Sequence, residues 1–61
     1  MKYTVKQARR LAGKTQKQMA EALKIHVQTY QKIERKPENA TVRQAKIISS
    51  ETNVALDDII F

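Results

Sequence analysis

Three times along this chain a threonine is followed at the third residue by a glutamine: Thr4-Val5-Lys6-Gln7, Thr15-Gln16-Lys17-Gln18 and Thr41-Val42-Arg43-Gln44. Each is the pattern of a capping box, in which the threonine oxygen accepts from a backbone N–H of the first helical turn and the glutamine reaches back to the backbone N–H of the cap. One such match is weak. Three, each heading an amphipathic segment, constrain the chain to helices. Glycine and proline occur once each, at Gly13 and Pro37, and the β-branched residues are scattered rather than alternating with polar ones, so an all-α fold is expected.

The first helix is expected from about Val5 to Ala12, with Val5, Ala8, Leu11 and Ala12 at helical spacing and Gly13 as a left-handed stop. A second, short helix begins after Thr15 and places Met19, Ala20 and Leu23 on one face. Lys24 and Ile25 make a tight turn, and a third helix from about Val27 to Arg35 turns Tyr30 and Ile33 inward. Lys36-Pro37-Glu38-Asn39 is a loop, since Pro37 cannot continue the preceding helix. A fourth helix after Thr41 is expected to bury Val42, Ala45, Ile48 and Thr52 and to stop at Asn53. A short fifth helix would close the core through Val54, Leu56, Ile59 and Ile60.

At 61 residues the chain makes one domain, 1–61, with no linker, repeat or low-complexity stretch. A domain of this size buries only about 60% of its unfolded surface, and its stability should be on the order of 3–9 kcal/mol. There are no cysteines, hence no disulfide, thiolate metal site or cysteine nucleophile. The single histidine, His26, would need carboxylates to complete a zinc site, and the only serines, Ser49 and Ser50, have no glycine-flanked elbow around them. Neither catalysis, a metal, a cofactor nor a small-molecule ligand is therefore expected. No apolar run reaches the length of a membrane span and Met1-Lys2-Tyr3 leads into polar sequence, so the expected location is cytoplasmic.

Twelve Lys and Arg against six Asp and Glu give a net charge of +6, which favours a polyanionic partner. The charge is also polarised. Residues 1–36 carry ten cations against Glu21 and Glu34, net +8, whereas the remainder carries Arg43 and Lys46 against Glu38, Glu51, Asp57 and Asp58, net −2. A surface that serves only solubility intersperses its signs, although a solvated lysine-rich face remains the alternative.

Two short helices joined by a turn of about three residues, the second with a polar outer face, form the unit that places a helix in the DNA major groove. Here that unit spans about residues 16–35. In this region the sequence resembles the helix-turn-helix domains of lambdoid phage repressors and Cro proteins, the XRE-like family. The residues that carry the resemblance are Ala8-Arg9 and Gly13, Thr15-Gln16, Met19-Ala20, Leu23, Ile33-Glu34, Val54 and Leu56-Asp57-Asp58-Ile59. The implied fold is a compact five-helix, lambda-repressor-like domain. Four positions depart from the family pattern: Lys24 replaces the turn glycine, Lys14 a leucine, Tyr30 an Ile or Val, and Ala55 the hydroxyl cap of the last helix. A non-glycine residue at Lys24 must turn left-handed, at ~1–2 kcal/mol, or distort the turn.

The resemblance implies that Val27, Gln28, Gln31 and Lys32 face base edges, with His26 and Arg35 at the two ends of the third helix. Gln28 suits adenine N6 and N7, Lys32 guanine O6 and N7, and Val27 a thymine methyl. Gln16, in the first turn of the second helix, is where backbone N–H groups and the helix dipole attract an anion. By the resemblance it bridges a DNA phosphate and the recognition helix. Lys17, Arg10, Lys14, Lys36 and Arg43, with His26 and Arg35, are further phosphate-contact candidates by charge or position. Arg9 and Glu34 fall on otherwise apolar faces, and the family pattern pairs them as a largely buried structural ion pair.

The expected function is sequence-specific binding of double-stranded DNA by a phage-like or bacterial transcriptional regulator, a repressor at a two-fold operator. The expected setting is the nucleoid of a bacterial or phage-infected cell. One small module binds weakly, so a homodimer, at least on DNA, is expected through the apolar stretch Val54 to Phe61. The chain could also be part of a longer repressor. The main rival is a protein-interaction module, the antitoxin or antirepressor half of a protein pair on the same fold. A basic membrane-surface peptide is disfavoured because the apolar residues are spread over several short capped helices.

Overall fold

In the computed structural model, which describes residues 1–61, each of the three threonine boxes heads a helix. Thr4, Thr15 and Thr41 accept from the backbone N–H groups of Gln7, Gln18 and Gln44, and each glutamine Oε1 accepts in return from the threonine N–H at 2.9 Å. The helices are α1 (Val5–Leu11), α2 (Gln16–Leu23), α3 (Val27–Arg35) and α4 (Val42–Thr52). Two orphan donors at each capped end are thus satisfied locally, which is why these starts follow from sequence.

The helix ends are also local. Gly13, at φ +69°, closes α1 with its own N–H on the Arg10 carbonyl and that of Lys14 on the Arg9 carbonyl. Lys24 does the same for α2 without being glycine: at φ 58°, ψ 43° it is left-handed, its N–H meets the Glu21 carbonyl and that of Ile25 meets the Ala20 carbonyl. Asn53 ends α4 in the same conformation. The segment after α3 is tighter than a plain loop, because Pro37 starts a single 3₁₀ turn, Pro37–Asn39.

The fold has four α-helices, not five. After Asn53 the chain makes one 3₁₀ turn, Leu56–Asp58, and then extends as a short strand, β2 (Ile59–Ile60), parallel to β1 (Tyr3–Thr4), with Tyr3 opposite Ile59 and Thr4 opposite Ile60. Ala55 supplies no side-chain cap, so the turn is not held open for a helix, and the β-branched pair that follows extends readily. The domain is mostly helical, and its one pair of two-residue strands clasps the two chain ends together.

Nine residues form the core: Val5, Ala8, Met19, Ala20, Leu23, Tyr30, Ile33, Ile48 and Ile59. Tyr3, Ile25, Ala40, Ile47 and Val54 pack around it. Some expected core positions lie outside. Val42, next to its cap, is 73% exposed, Leu11 is 64% exposed, and Leu56 and Ile60 remain largely open. Helical spacing identifies a face but not its width, and the last turn of α1 and first turn of α4 extend past the core. No helix is long and apolar enough to cross a membrane.

Candidate nucleic-acid interface

The two buried-charge candidates meet. Arg9 Nε, on α1, lies 2.6 Å from Glu34 Oε2, on α3, and the two side chains are only 11% and 6% exposed. Arg9 Nη1 also donates to the Lys14 carbonyl at 2.9 Å, which ties the turn after α1 to the same guanidinium. The Glu34 hydrogen bond is the main cause holding the Arg9 pKa above its ordinary value. For Glu34, burial acts to raise the pKa, but Arg9, the Tyr30 hydroxyl and the Gln16 amide together outweigh it and hold the carboxyl below its ordinary 4.5. The Tyr30 hydroxyl is buried with no hydrogen bond of standard geometry, facing Glu34 and Arg9. Burial first, then that carboxylate, push the phenol far above its ordinary 10.0.

Glutamines extend this pair to the protein surface. Gln16, the first residue of α2, donates through Nε2 to Glu34 Oε1 at 3.0 Å, and its Oε1 accepts from Gln31 Nε2, on α3, at 3.1 Å. A continuous relay therefore runs Arg9, Glu34, Gln16, Gln31, joining three helices. The resemblance implied that Gln16 reaches the recognition helix, and it does so; that its partners there are Glu34 and Gln31 was not anticipated, because nothing in a spacing of fifteen or eighteen residues signals it.

Along α3 the polar stripe is outward. Gln28 and Lys32 are exposed, Val27 is 37% exposed and Gln31 is half-buried against Gln16. Beside the stripe, Lys6, Gln16, Gln31, Glu34 and Arg35 line one shallow basin. Lys32, Arg35, Lys36 and Asn39 line the next, at the C-terminal end of α3. Lys6 was not among the expected contact residues; its place in the first turn of α1, one turn from Arg9's side, was the available signal. Lys17 is exposed at the second position of α2, and His26 is the exposed N-cap of α3, with no capping bond from its side chain.

The remaining expected cations stand elsewhere. Arg10 lines an open groove with Met1, Lys2, Tyr3, Gln7 and Leu11. Lys14 Nζ turns toward α4, 3.5 Å from Glu51 Oε1. Arg43 borders a cleft between the end of α2 and the start of α4, with Lys24, Thr41 and Gln44. No group of three or more His, Cys, Asp or Glu is placed to hold a metal ion.

Comparison with known proteins gives one match. A family model described as Helix-turn-helix covers residues 5–59, from the start of α1 into β2. No curated protein and no solved structure matches the chain.

Proposed function

The chain belongs to the helix-turn-helix family, of the XRE and lambda-repressor-like kind, and from that premise we propose that this DNA-binding regulator is a sequence-specific repressor acting at a promoter operator. The observation that carries the reading is the way α3 is held. Buried Tyr30 and Ile33 and the Arg9–Glu34 pair anchor one side of the helix, leaving Val27, Gln28, Gln31 and Lys32 on the other. A rigid helix with an exposed polar stripe is what reading a major groove requires.

In this reading Gln28 and Lys32 contact base edges, with Val27 against a thymine methyl and Gln31 beside them. Gln16, at the N-terminus of α2, meets a backbone phosphate, helped by Lys17, His26, Arg35 and Lys36. Arg10, Lys14 and Arg43 would touch only more distant phosphates. Two copies bind a two-fold operator with half-sites about 10 bp apart. Leu56, Ile60 and Phe61, at 39%, 49% and 37% exposed, supply apolar surface for the contact between them.

Selection from a random DNA pool tests the reading, followed by binding of Gln28→Ala, Lys32→Ala and Lys17→Ala. The first two should lose ~1–3 kcal/mol on the selected site and little on random DNA. Lys17→Ala should weaken both alike and reduce the salt slope by about one. Wild-type binding by both α3 variants would remove α3 as the reader and favour a protein-interaction module instead.

A further inference from the structure

The large apolar side chains left open to solvent are not scattered. Seven are exposed, and five of them, Met1, Leu11, Leu56, Ile60 and Phe61, fall in two neighbouring places. The first is the open groove beside α1, walled by Met1, Lys2, Tyr3, Gln7, Arg10 and Leu11. Gln7, Arg10 and Leu11 are exposed side chains of α1, outside the face that buries Val5 and Ala8. Two cations and no acid line this groove. The second place is the segment Leu56–Phe61, where Asp57 and Asp58 stand among Leu56, Ile60 and Phe61. The two adjoin within one molecule, because Tyr3 pairs with Ile59 and Lys2 Nζ donates to the Asp57 carbonyl.

An apolar groove with a positive rim and an apolar segment with negative charge complement each other, yet one molecule cannot join them. Its segment is held alongside β1 by strand pairing, and Ile60 and Phe61 stay exposed. Two copies can join them. A two-fold axis beside adjoining patches lays the groove of each copy on the segment of the other, and such a contact closes without leaving an open end. Charge selects this arrangement over the two alternatives. Groove on groove would set Lys2 and Arg10 against the same cations of the second copy, and segment on segment would set Asp57 and Asp58 against the same acids. Only groove on segment brings opposite signs together. Neither patch contributes a residue to the two basins at α3, so the polar stripe of each copy stays free. We propose that the groove beside α1 is the docking site for the Leu56–Phe61 segment of a second copy, with Arg10 facing Asp57 across the contact. The proposal rests on the homodimer reading above and deepens it, since it names the surface that receives the segment.

The test is sedimentation equilibrium of the free protein over a wide concentration range, with each variant first checked for a cooperative melt. The wild type should dimerise. Leu11→Ser, which removes an exposed apolar side chain, should raise the dimer Kd about ten-fold. Arg10→Glu and Asp57→Lys each set like charges together and should raise it about ten-fold or more. Both changes in one chain should return it to within about three-fold of wild type, because opposite signs meet again on both sides of the axis. Val42→Ser, at an exposed apolar position outside both patches, should leave the Kd unchanged. Where the wild type pairs only on DNA, the same variants are compared by the cooperativity of binding to two half-sites, with single half-site affinity measured separately. A dimer indifferent to Leu11→Ser and Arg10→Glu, or a double variant as weak as the single ones, overturns the docking site and leaves the homodimer standing. A dimer weakened by Ile60→Ser alone does the same and points to segment on segment. A wild type that stays monomeric both free and on the selected operator rejects the homodimer reading, and this proposal with it.

Discussion

Replacing Glu34 with alanine should remove a large share of the stability of the domain. The substitution strands Arg9, whose side chain is 11% exposed and whose Nε loses its 2.6 Å partner. The bond from Nη1 to the Lys14 carbonyl survives, but it neutralises no charge. Gln16 Nε2 loses its acceptor and the Tyr30 hydroxyl its polar neighbour. Removing one partner of a buried pair costs about 3–5 kcal/mol, because an uncompensated charge remains in low dielectric. Against a total of roughly 3–9 kcal/mol for a chain of this length, that is from about a third to all of it. Urea unfolding followed by far-UV circular dichroism measures it, with Glu21→Ala as the control, since Glu21 is exposed. The control should change stability by less than about 0.5 kcal/mol. Removing both charges with Arg9→Met and Glu34→Leu should recover much of the loss, since an apolar pair of similar volume has no charge to desolvate. Equal small effects for Glu34→Ala and Glu21→Ala would refute the reasoning, and so would a double variant as unstable as the single one.

Three further outcomes are expected. Because folding holds the Glu34 carboxyl below its ordinary 4.5, its stabilising contribution is complete above that value and is lost as pH falls through the depressed one. Acid titration of the unfolding free energy should therefore be shallower in Glu34→Gln than in wild type, and parallel curves would contradict the assignment. Lys24→Gly should raise stability by roughly 0.5–1 kcal/mol in thermal melts, since glycine adopts φ 58° without a Cβ clash. Lys24→Ala should bring no such gain. Ile48→Ala, at a fully buried position, should cost about 2–5 kcal/mol. Val42→Ala, at a position 73% exposed, should cost less than about 0.5 kcal/mol, and similar losses for the two would mean that α4 is turned otherwise.

What the sequence determined by itself was local. A threonine and a glutamine three residues apart close their own hydrogen bonds within one helical turn, so three of the four helix starts and the stop at Gly13 were legible without knowledge of the fold. At Lys24 the resemblance, which sets a glycine in the turn, left two outcomes open, a left-handed residue or a distorted turn, and the observed φ of 58° is the left-handed one. Tertiary structure decided everything that depends on distant residues arriving at the same place. Whether Ile59 and Ile60 continue a helix or extend depends on Tyr3 and Thr4, at the other end of the chain, being there to pair. Whether Leu11 and Val42 are core depends on how far the neighbouring helices reach, which periodicity does not encode. The relay is the clearest case. Gln16 and Gln31 are common polar residues on surface helices, and only the packing of α1, α2 and α3 around Glu34 sets their amides end to end. Hydrogen bonds are made through contacts in space, and a sequence lists its residues in only one dimension.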